Sequence, residues 1–433
     1  MGMIAYPTYK DSGAPWIGDI PTHWTARKIK TLFRIKKEIA GKEGYDVLSI
    51  TQQGIKIKDV ESNEGQIAQS YTNYQLLNVG EFAMNHMDLL TGWVDISPFN
   101  GVTSPDYRVF VRFEENASSK YLLYTLQICY TRKLFYGLAQ GVSSIGRCRL
   151  QASKFKNFVF PLPPTLEEQN AIVAYLDKKC AEIDELVSRR QAIIERLKEL
   201  KQSIIAEAVT KGLNPDVPMK ESGIDWMREV PVHWTISKIK NKAKVSPRVD
   251  ISHINFGDLI TFTPMEYVKQ GYFIPNNMPY EAKYNSYTPY AEGDIVIAKV
   301  TPCFENGNIC IMNNLSSHVG FGSSELIVIR SNDILPAFLM YALRNPHFIA
   351  EGKKTMYGTG GLKRISPRFI PNCNIAVPPE KEQQFIVAYL DKKCAEIDEL
   401  VAQQEQIIEK LKELKTSTIA HVVTGKVDVR DAI

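Results

Sequence analysis

The sequence predicts an α+β fold built twice over: two globular mixed α/β domains separated by two long antiparallel coiled-coil helices, related by a pseudo-two-fold internal repeat. Three observations carry that expectation. Residues 172–187, IVAYLDKKCAEIDELV, recur letter for letter at 386–401. Around each copy, apolar residues return in alternating steps of four and three. Ahead of each copy the chain runs through the same order of turn-like and strand-like segments in different letters. A duplication of this length means two copies of one large module rather than a solenoid.

The helices come first. From Ile172 the rhythm visits Leu176, Lys179, Ile183, Leu186, Arg190, Ile193, Leu197, Leu200 and Ile204. From Ile386 it visits Leu390, Lys393, Ile397, Leu400, Gln404, Ile407, Leu411, Leu414 and Thr418. A mean spacing of ~3.5 residues is that of a coiled-coil seam. The seams share polar interruptions at Lys179/Lys393 and Arg190/Gln404, which makes the helices natural partners for each other. Cys180 and Cys394 fall off this seam. Two separate core helices would explain neither the sustained rhythm nor the charged remainder at Asp177, Lys178, Glu182, Asp184 and Glu185.

Each helix opens after a proline junction, Pro161-Leu162-Pro163-Pro164 and Pro378-Pro379, because proline ends a strand yet is tolerated in a first helical turn. Thr165 and Glu168 form a capping-box pattern. These breaks divide the chain into a globular segment 1–160, a helix 161–212, a second globular segment 213–375, a second helix 376–424 and a tail 425–433.

Within the first globular segment, Trp16, His23 and Trp24 recur as Trp226, His233 and Trp234, and paired tryptophans among Pro and Gly suit structural pinning. Runs at Tyr45–Thr51, Gly54–Ile57, Glu81–Met84, Gly92–Ile96 and Tyr107–Arg112 read as strands, followed by a helix over 119–136 and a strand at Phe158–Pro161. The second segment echoes the first. Gly80-Glu81 matches Gly293-Asp294, Gly92 matches Gly307, Arg112 matches Arg330, and Leu123-Tyr124 matches Met340-Tyr341.

The link Leu213–Asp225 reaches at most ~45 Å, whereas a helix over 165–210 runs ~65 Å. The second domain is therefore expected near the far end of the first helix. A two-fold relation then makes the helices antiparallel, with one globular domain at each end.

Composition narrows the function. A formal charge of +4 is too small to imply a nucleic-acid partner unaided, so any basic surface must be local. Seven cysteines without a C-x-x-C pair suit reduced thiols in the cytoplasm. No apolar run is long enough to span a membrane, and no basic-apolar signal segment opens the chain. Histidines and cysteines show no zinc spacing, so neither a metal nor another cofactor is expected. Identical helices beside diverged domains suit two copies of one partner and two different targets; a recent partial gene conversion would also leave the helices identical.

The Trp-rich opening, globular domain, PP…EQ junction and I-V-A-Y-L-D-K-K helix, all repeated, closely resemble the specificity subunit of type I restriction–modification systems. Gly293-Asp294-Ile295 followed by Thr301-Pro302-Cys303-Phe304-Glu305-Asn306-Gly307 adds to the likeness, which covers essentially the whole chain. The resemblance implies that 1–160 and 213–375 are target-recognition domains, each reading one half of a split, asymmetric site in double-stranded DNA. It implies conserved spacer helices that dock two modification (methyltransferase) subunits, with restriction (translocase/nuclease) subunits completing the complex. The chain itself would be non-catalytic. On the repeated helix faces, Tyr175, Asp177, Lys178 and Glu182, with Tyr389, Asp391, Lys392 and Glu396, are the expected partner-subunit contacts.

Candidate DNA contacts follow from chemistry: glycine allows close backbone approach, hydroxyls and cations meet phosphate, and Arg, Lys or Gln can read base edges. The loop Tyr357, Gly358, Thr359, Gly360, Gly361, Leu362, Lys363, Arg364, flanked by Lys353 and Lys354, has its counterpart at Ser143, Ser144, Arg147 and Arg149. Gln52, Gln53, Lys56 and Lys58 form another candidate, and Lys299 and Asn306 a third. Each has a bland reading as a solvated loop or a structural turn.

Other functions fit less well. Asn345-Pro346-His347-Phe348 and Met356-Tyr357-Gly358-Thr359-Gly360 superficially suggest a methyltransferase but lie too close together for its two loops. Gly352-Lys353-Lys354-Thr355 lacks the upstream glycine of a phosphate loop. A two-headed protein-binding coiled-coil scaffold stays open as the alternative.

Overall fold

The computed structural model describes residues 5–60, 68–139, 148–359 and 361–431. The chain divides into two compact units, 1–190 with 406–433, and 191–405.

The first unit is built on a four-stranded antiparallel sheet in the spatial order Phe33–Lys36, Arg108–Arg112, Phe82–Met84, Val94–Ile96. Alternation along these strands sends Phe82, Met84 and Phe110 into the main core, where helix Ser119–Thr131 covers them with Tyr121, Leu122 and Leu126. Ala83 and Val109 face the other way and pack on Leu48, Ile50, Ile55 and Leu77.

The second unit repeats that sheet as Ala243–Val245, Leu326–Ser331, Ile295–Ala298, Ile309–Ile311. Ile295, Ile297 and Ile329 face helix Pro336–Leu343, while Val296, Ala298 and Val328 line a second core. A further four-stranded sheet contains a parallel pair, Leu259–Thr263 with Val319–Gly322. Phe262, Tyr280, Tyr284 and Phe321 cluster upon it.

The expected strands form: Gly54–Ile57 with the same bounds, Leu48–Thr51, Phe82–Met84, Val94–Ile96 and Arg108–Arg112 with later starts, and Val159–Leu162 shifted one residue onward. The pairing of Arg112 with Arg330 is off by one residue. Phe82 pairs with Phe110 and Ile295 with Ile329, so Arg330 stands where the first unit has Val111, and Arg112 where the second has Ser331. Neighbouring strand residues face opposite sides, so the two arginines do different work. Arg330 grips Asp294 with two bonds of 2.7 Å, whereas Arg112 donates to Ser119 Oγ at 3.0 Å.

The tryptophans pack as expected: Trp24 and Trp234 are fully buried. Trp24 donates its indole N–H to Glu168 Oε1 at 2.9 Å, and Tyr6 donates to the same oxygen at 2.9 Å. Half of the capping box forms, since the Glu168 N–H donates to Thr165 Oγ1 at 3.2 Å. The Glu168 carboxylate is committed to Tyr6, His23 and Trp24 instead of reaching back.

The long helices are Leu166–Lys211 and Glu380–Val423, 46 and 44 residues. In the second unit, Lys201 Nζ meets both Asp398 oxygens at 2.7 Å, and Gly212 lies against Glu382. In the first, Lys415 Nζ meets both Asp184 oxygens at 2.7 Å, and Tyr121 donates to the Val423 carbonyl at 3.0 Å. Within each unit the segments are therefore antiparallel.

The seam differs from the expected one. Ile172, Leu176, Cys180, Ile183, Ile194, Ile205 and Ala208 are buried, whereas Leu186, Ile193 and Leu200 are 41, 39 and 49 % exposed. The buried face follows the ~3.6-residue period of an ordinary helix, so a strict 4-3 count still meets it at Ile183 but falls one residue short at Lys179, Leu186, Ile193 and Leu200. Cys180 and Cys394 consequently lie on the buried face, 7 and 6 % exposed, and Lys179 and Lys393 lie off it.

Candidate nucleic-acid interface

In the second unit, the residues around Lys299 and those of the Tyr357–Arg364 loop come together. Tyr357 and Arg364 exchange backbone hydrogen bonds of 3.0 and 2.8 Å, which close the loop. Thr301 then fastens it. Its N–H donates to the Lys363 carbonyl at 2.9 Å, and its hydroxyl accepts from the Lys363 N–H at 3.0 Å and donates to the Gly361 carbonyl at 2.8 Å. Gly358 sits at φ +136°, where an added β-carbon would collide with the Leu362 carbonyl oxygen. Turn closure alone therefore requires this glycine.

Charge at this site is partly compensated. Arg364 holds Glu325 through two bonds of 2.9 and 2.8 Å, and Lys299 lies 3.7 Å from the same carboxylate while donating to the Ser324 carbonyl at 2.7 Å. Hydrogen bonding from Arg364 holds the Glu325 carboxyl below its usual range, with Lys299 adding to the effect. Tyr357 and Lys363 stay exposed, and so does Thr359, whose carbonyl accepts from the Leu362 N–H at 3.3 Å.

Backbone bonds identify the first unit's counterpart. The Leu150 N–H donates to the His86 carbonyl at 2.9 Å, as the Ile365 N–H does to Lys299 at 3.0 Å. Arg149 thus corresponds to Arg364, and His86 to Lys299. Nothing in the sequence singled out His86, because histidine and lysine share no pattern to align on. Arg149 is exposed. Ser143, Ser144 and Arg147 lie outside the described residues, as does Gly360.

Gln52 and Gln53 form the tip of the hairpin Leu48–Thr51/Gly54–Ile57. Gln52 donates to the Thr91 carbonyl at 3.2 Å, Lys56 donates to Gln53 Oε1 at 2.6 Å, and the Lys58 N–H donates to the Val47 carbonyl at 2.7 Å. Gln52, Gln53 and Lys56 form one exposed polar tip, and Lys58 sits half-buried behind it.

Asn306 belongs to a turn, its N–H donating to the Pro302 carbonyl at 2.9 Å. It lines a groove with Lys353, Lys201 and Asp398. Lys353 lies 3.7 Å from Glu305, and Lys354 pairs with Glu351 at 2.6 Å. Gln52, Asp184 and Lys415 line the matching groove of the first unit. Asn345 accepts from the His347 N–H at 2.9 Å as the N-cap of helix Pro346–Lys354, which gives that tetrapeptide a structural role.

On the repeated helices, Lys178, Glu182, Lys392 and Glu396 are exposed, as are Tyr389 and Asp391, while Tyr175 and Asp177 are half-buried. Asp177 accepts from Tyr124 at 2.7 Å and Asp391 from Tyr341 at 2.6 Å. Burial, followed by these bonds to carboxylates, pushes both phenols above their ordinary range.

Residues 21–196 match the family described as the type I restriction modification DNA specificity domain. The chain is similar to the specificity subunit of the type I restriction enzyme EcoAI from Escherichia coli, 29 % identical over 218 residues, covering 49 % of this chain and 36 % of that one. The match thus spans little more than a third of that relative. It is also similar to the EcoKI specificity subunit of Escherichia coli strain K12, 21 % identical over 355 residues, covering 80 % of this chain and 72 % of that one. A chain in a solved structure of a type I R-M system superposes with a TM-score of 0.66 at 17 % identity, covering 93 % of this chain and 98 % of that one. At that identity the likeness is one of fold. Among the described residues, no helix is long and apolar enough to cross a membrane.

Proposed function

We propose that the chain is a type I restriction–modification specificity subunit, the non-catalytic subunit that reads a two-part site in double-stranded DNA, as its likeness to that family supports. Residues 1–160 and 213–375 are the target-recognition domains, each reading one half-site. Helices 161–212 and 376–424 set the gap between the half-sites and seat two methyltransferase subunits, to which restriction subunits are added in the cytoplasm.

One observation carries this reading: sixteen helical residues are identical between two halves whose globular parts have diverged. Buried positions alone do not demand that identity, because exposed Lys178, Glu182, Lys392 and Glu396 share in it. A repeated outer face suits one kind of partner bound twice, and unlike domains suit an asymmetric target.

The test is to map methylated adenines genome-wide with and without this chain, and again after replacing residues 31–160 with a homologous domain. A two-part motif with an unspecified gap is expected, and the replacement should change one half of it. Absence of any such motif would leave the two-headed protein scaffold as the better reading. A change in both halves would refute the modular assignment.

A further inference from the structure

A basic groove in the second unit is absorbed by none of the interactions above. It is lined by Lys240, from the single turn Ile239–Asn241, by Lys244 on the outer strand Ala243–Val245, by Arg248 just beyond that strand, and by Arg330 on the neighbouring strand. Ser246 and Asn332 add polar atoms to its wall. Lys240, Lys244 and Arg248 are exposed, and among the described residues none of them is ion-paired with a carboxylate. Arg330 is anchored by the buried Asp294 and donates to the Arg248 carbonyl at 3.3 Å, which ties the groove's two arginines together. In a chain whose net charge is +4, three uncompensated cations around one groove are a strong local concentration.

The first unit keeps part of this feature, since exposed Lys30 answers to Lys240 and exposed Lys37 follows on the same stretch. The sheet registers place Arg34 opposite Lys244 and Val111 opposite Arg330, and the numbering carries Glu38 to Arg248. Lys36 is neutralised by Glu81 at 2.7 Å and Glu38 at 3.1 Å, which leaves Lys37 beside it exposed. Cations on an outer strand also discourage strand-to-strand association. That role would be met by either unit's version and does not require a third and fourth cation converging from adjacent elements.

We infer that the groove lined by Lys240, Lys244, Arg248 and Arg330 is a phosphate-binding site for the DNA backbone, completed by Arg248 and Arg330 in the second unit. The inference rests on the DNA-reading function proposed above. Long flexible cations without base-reading geometry position a duplex and carry no sequence information. The groove therefore adds affinity equally to every sequence.

The test uses the full chain in complex with its methyltransferase partners, titrated over a range of salt with two duplexes, one carrying the mapped site and one of scrambled sequence. The variants are Lys244→Ala/Arg248→Ala and the charge-preserving Lys244→Arg/Arg248→Lys, with thermal unfolding run beside each. The neutral pair should reduce the slope of log affinity against log salt by about 2, at roughly 0.9 for each phosphate no longer neutralised. Both duplexes should weaken by the same factor, and the charge-preserving pair should keep the wild-type slope. An unchanged slope in the neutral pair, beside a salt-dependent wild type, would overturn the site. A loss confined to the cognate duplex would overturn its phosphate character. A wild-type complex with no salt-dependent binding would instead bring down the DNA-reading function on which the site rests.

Discussion

Tyr124 donates its hydroxyl hydrogen to Asp177 at 2.7 Å, joining the short helix of the first unit to the repeated long helix. Tyr341 makes the same bond to Asp391 at 2.6 Å in the second unit. On the globular side the residues around these tyrosines have largely changed between the halves, yet the tie persists. It gives the repeated helix an inward reason for its aspartate, beside any outward one. Tyr124→Phe should cost about 1 kcal/mol, at the low end because Asp177 is 39 % exposed and water can replace the missing donor. A urea midpoint shifted in neither Tyr124→Phe nor Tyr341→Phe would show the tie to be dispensable.

Gln169 and Gln383 hold a stronger position. Gln169 is fully buried; its amide oxygen accepts from the Ser118 N–H at 2.6 Å, and its NH2 donates to the carbonyls of Asn116 and Pro163, both at 2.9 Å. Gln383 accepts from the Leu335 N–H at 2.8 Å and donates to the Pro378 carbonyl at 2.9 Å. Each glutamine thus caps the short helix of its unit from the first turn of the long one. Gln169→Ala should destabilise the first unit by about 3 kcal/mol, since buried backbone groups are left unpaired. Chemical denaturation measures this, and a loss below that of an exposed substitution would contradict it.

His86 predicts an acid limb. Burial first, then the nearby Arg108 and Arg149, lower its pKa from the ordinary 6.5 to about 3, and its Nδ1 finds no partner among the described residues. Below 6.5 the unfolded chain takes up a proton that the folded chain refuses. The contribution is therefore fully present above pH 6.5 and is lost progressively as pH falls toward 3. Thermal unfolding followed from pH 7 to pH 4 should fall less steeply for His86→Gln than for the wild type. Parallel profiles would refute the assignment.

Gly358→Ala should open the Tyr357–Arg364 loop. At φ +136° an alanine is strained and its β-carbon meets the Leu362 carbonyl, a cost on the order of 1–3 kcal/mol. Limited trypsin digestion should cut faster after Lys363 in the variant. Gly361→Ala, whose added carbon meets nothing within 4 Å although φ is +79°, should have the smaller effect.

The repeat, the α+β class and the long helices were legible in the sequence because each depends on local pattern: identical letters, helical periodicity, proline breaks. Strands such as Phe33–Lys36 escaped notice because their apolar–charged alternation lasts only four residues, and pairing with Arg108–Arg112 is what makes them strands. The one-residue error at Arg112 and Arg330 has the same origin, since register is set across strands and not along them.

Sequence by itself determined that the chain is one module written twice, with rods kept alike and globular parts set free to differ. Tertiary structure alone decided which face of each rod is buried, that Cys180 belongs to it and Lys179 does not, and that Lys299 stands beside the Arg364 loop. The physical reason is that a helix's own period is local, whereas the face it hides is chosen by what packs against it. Long-range hydrogen bonds, such as those from Thr301 to the Lys363 loop, join residues whose separation along the chain leaves no trace in spacing.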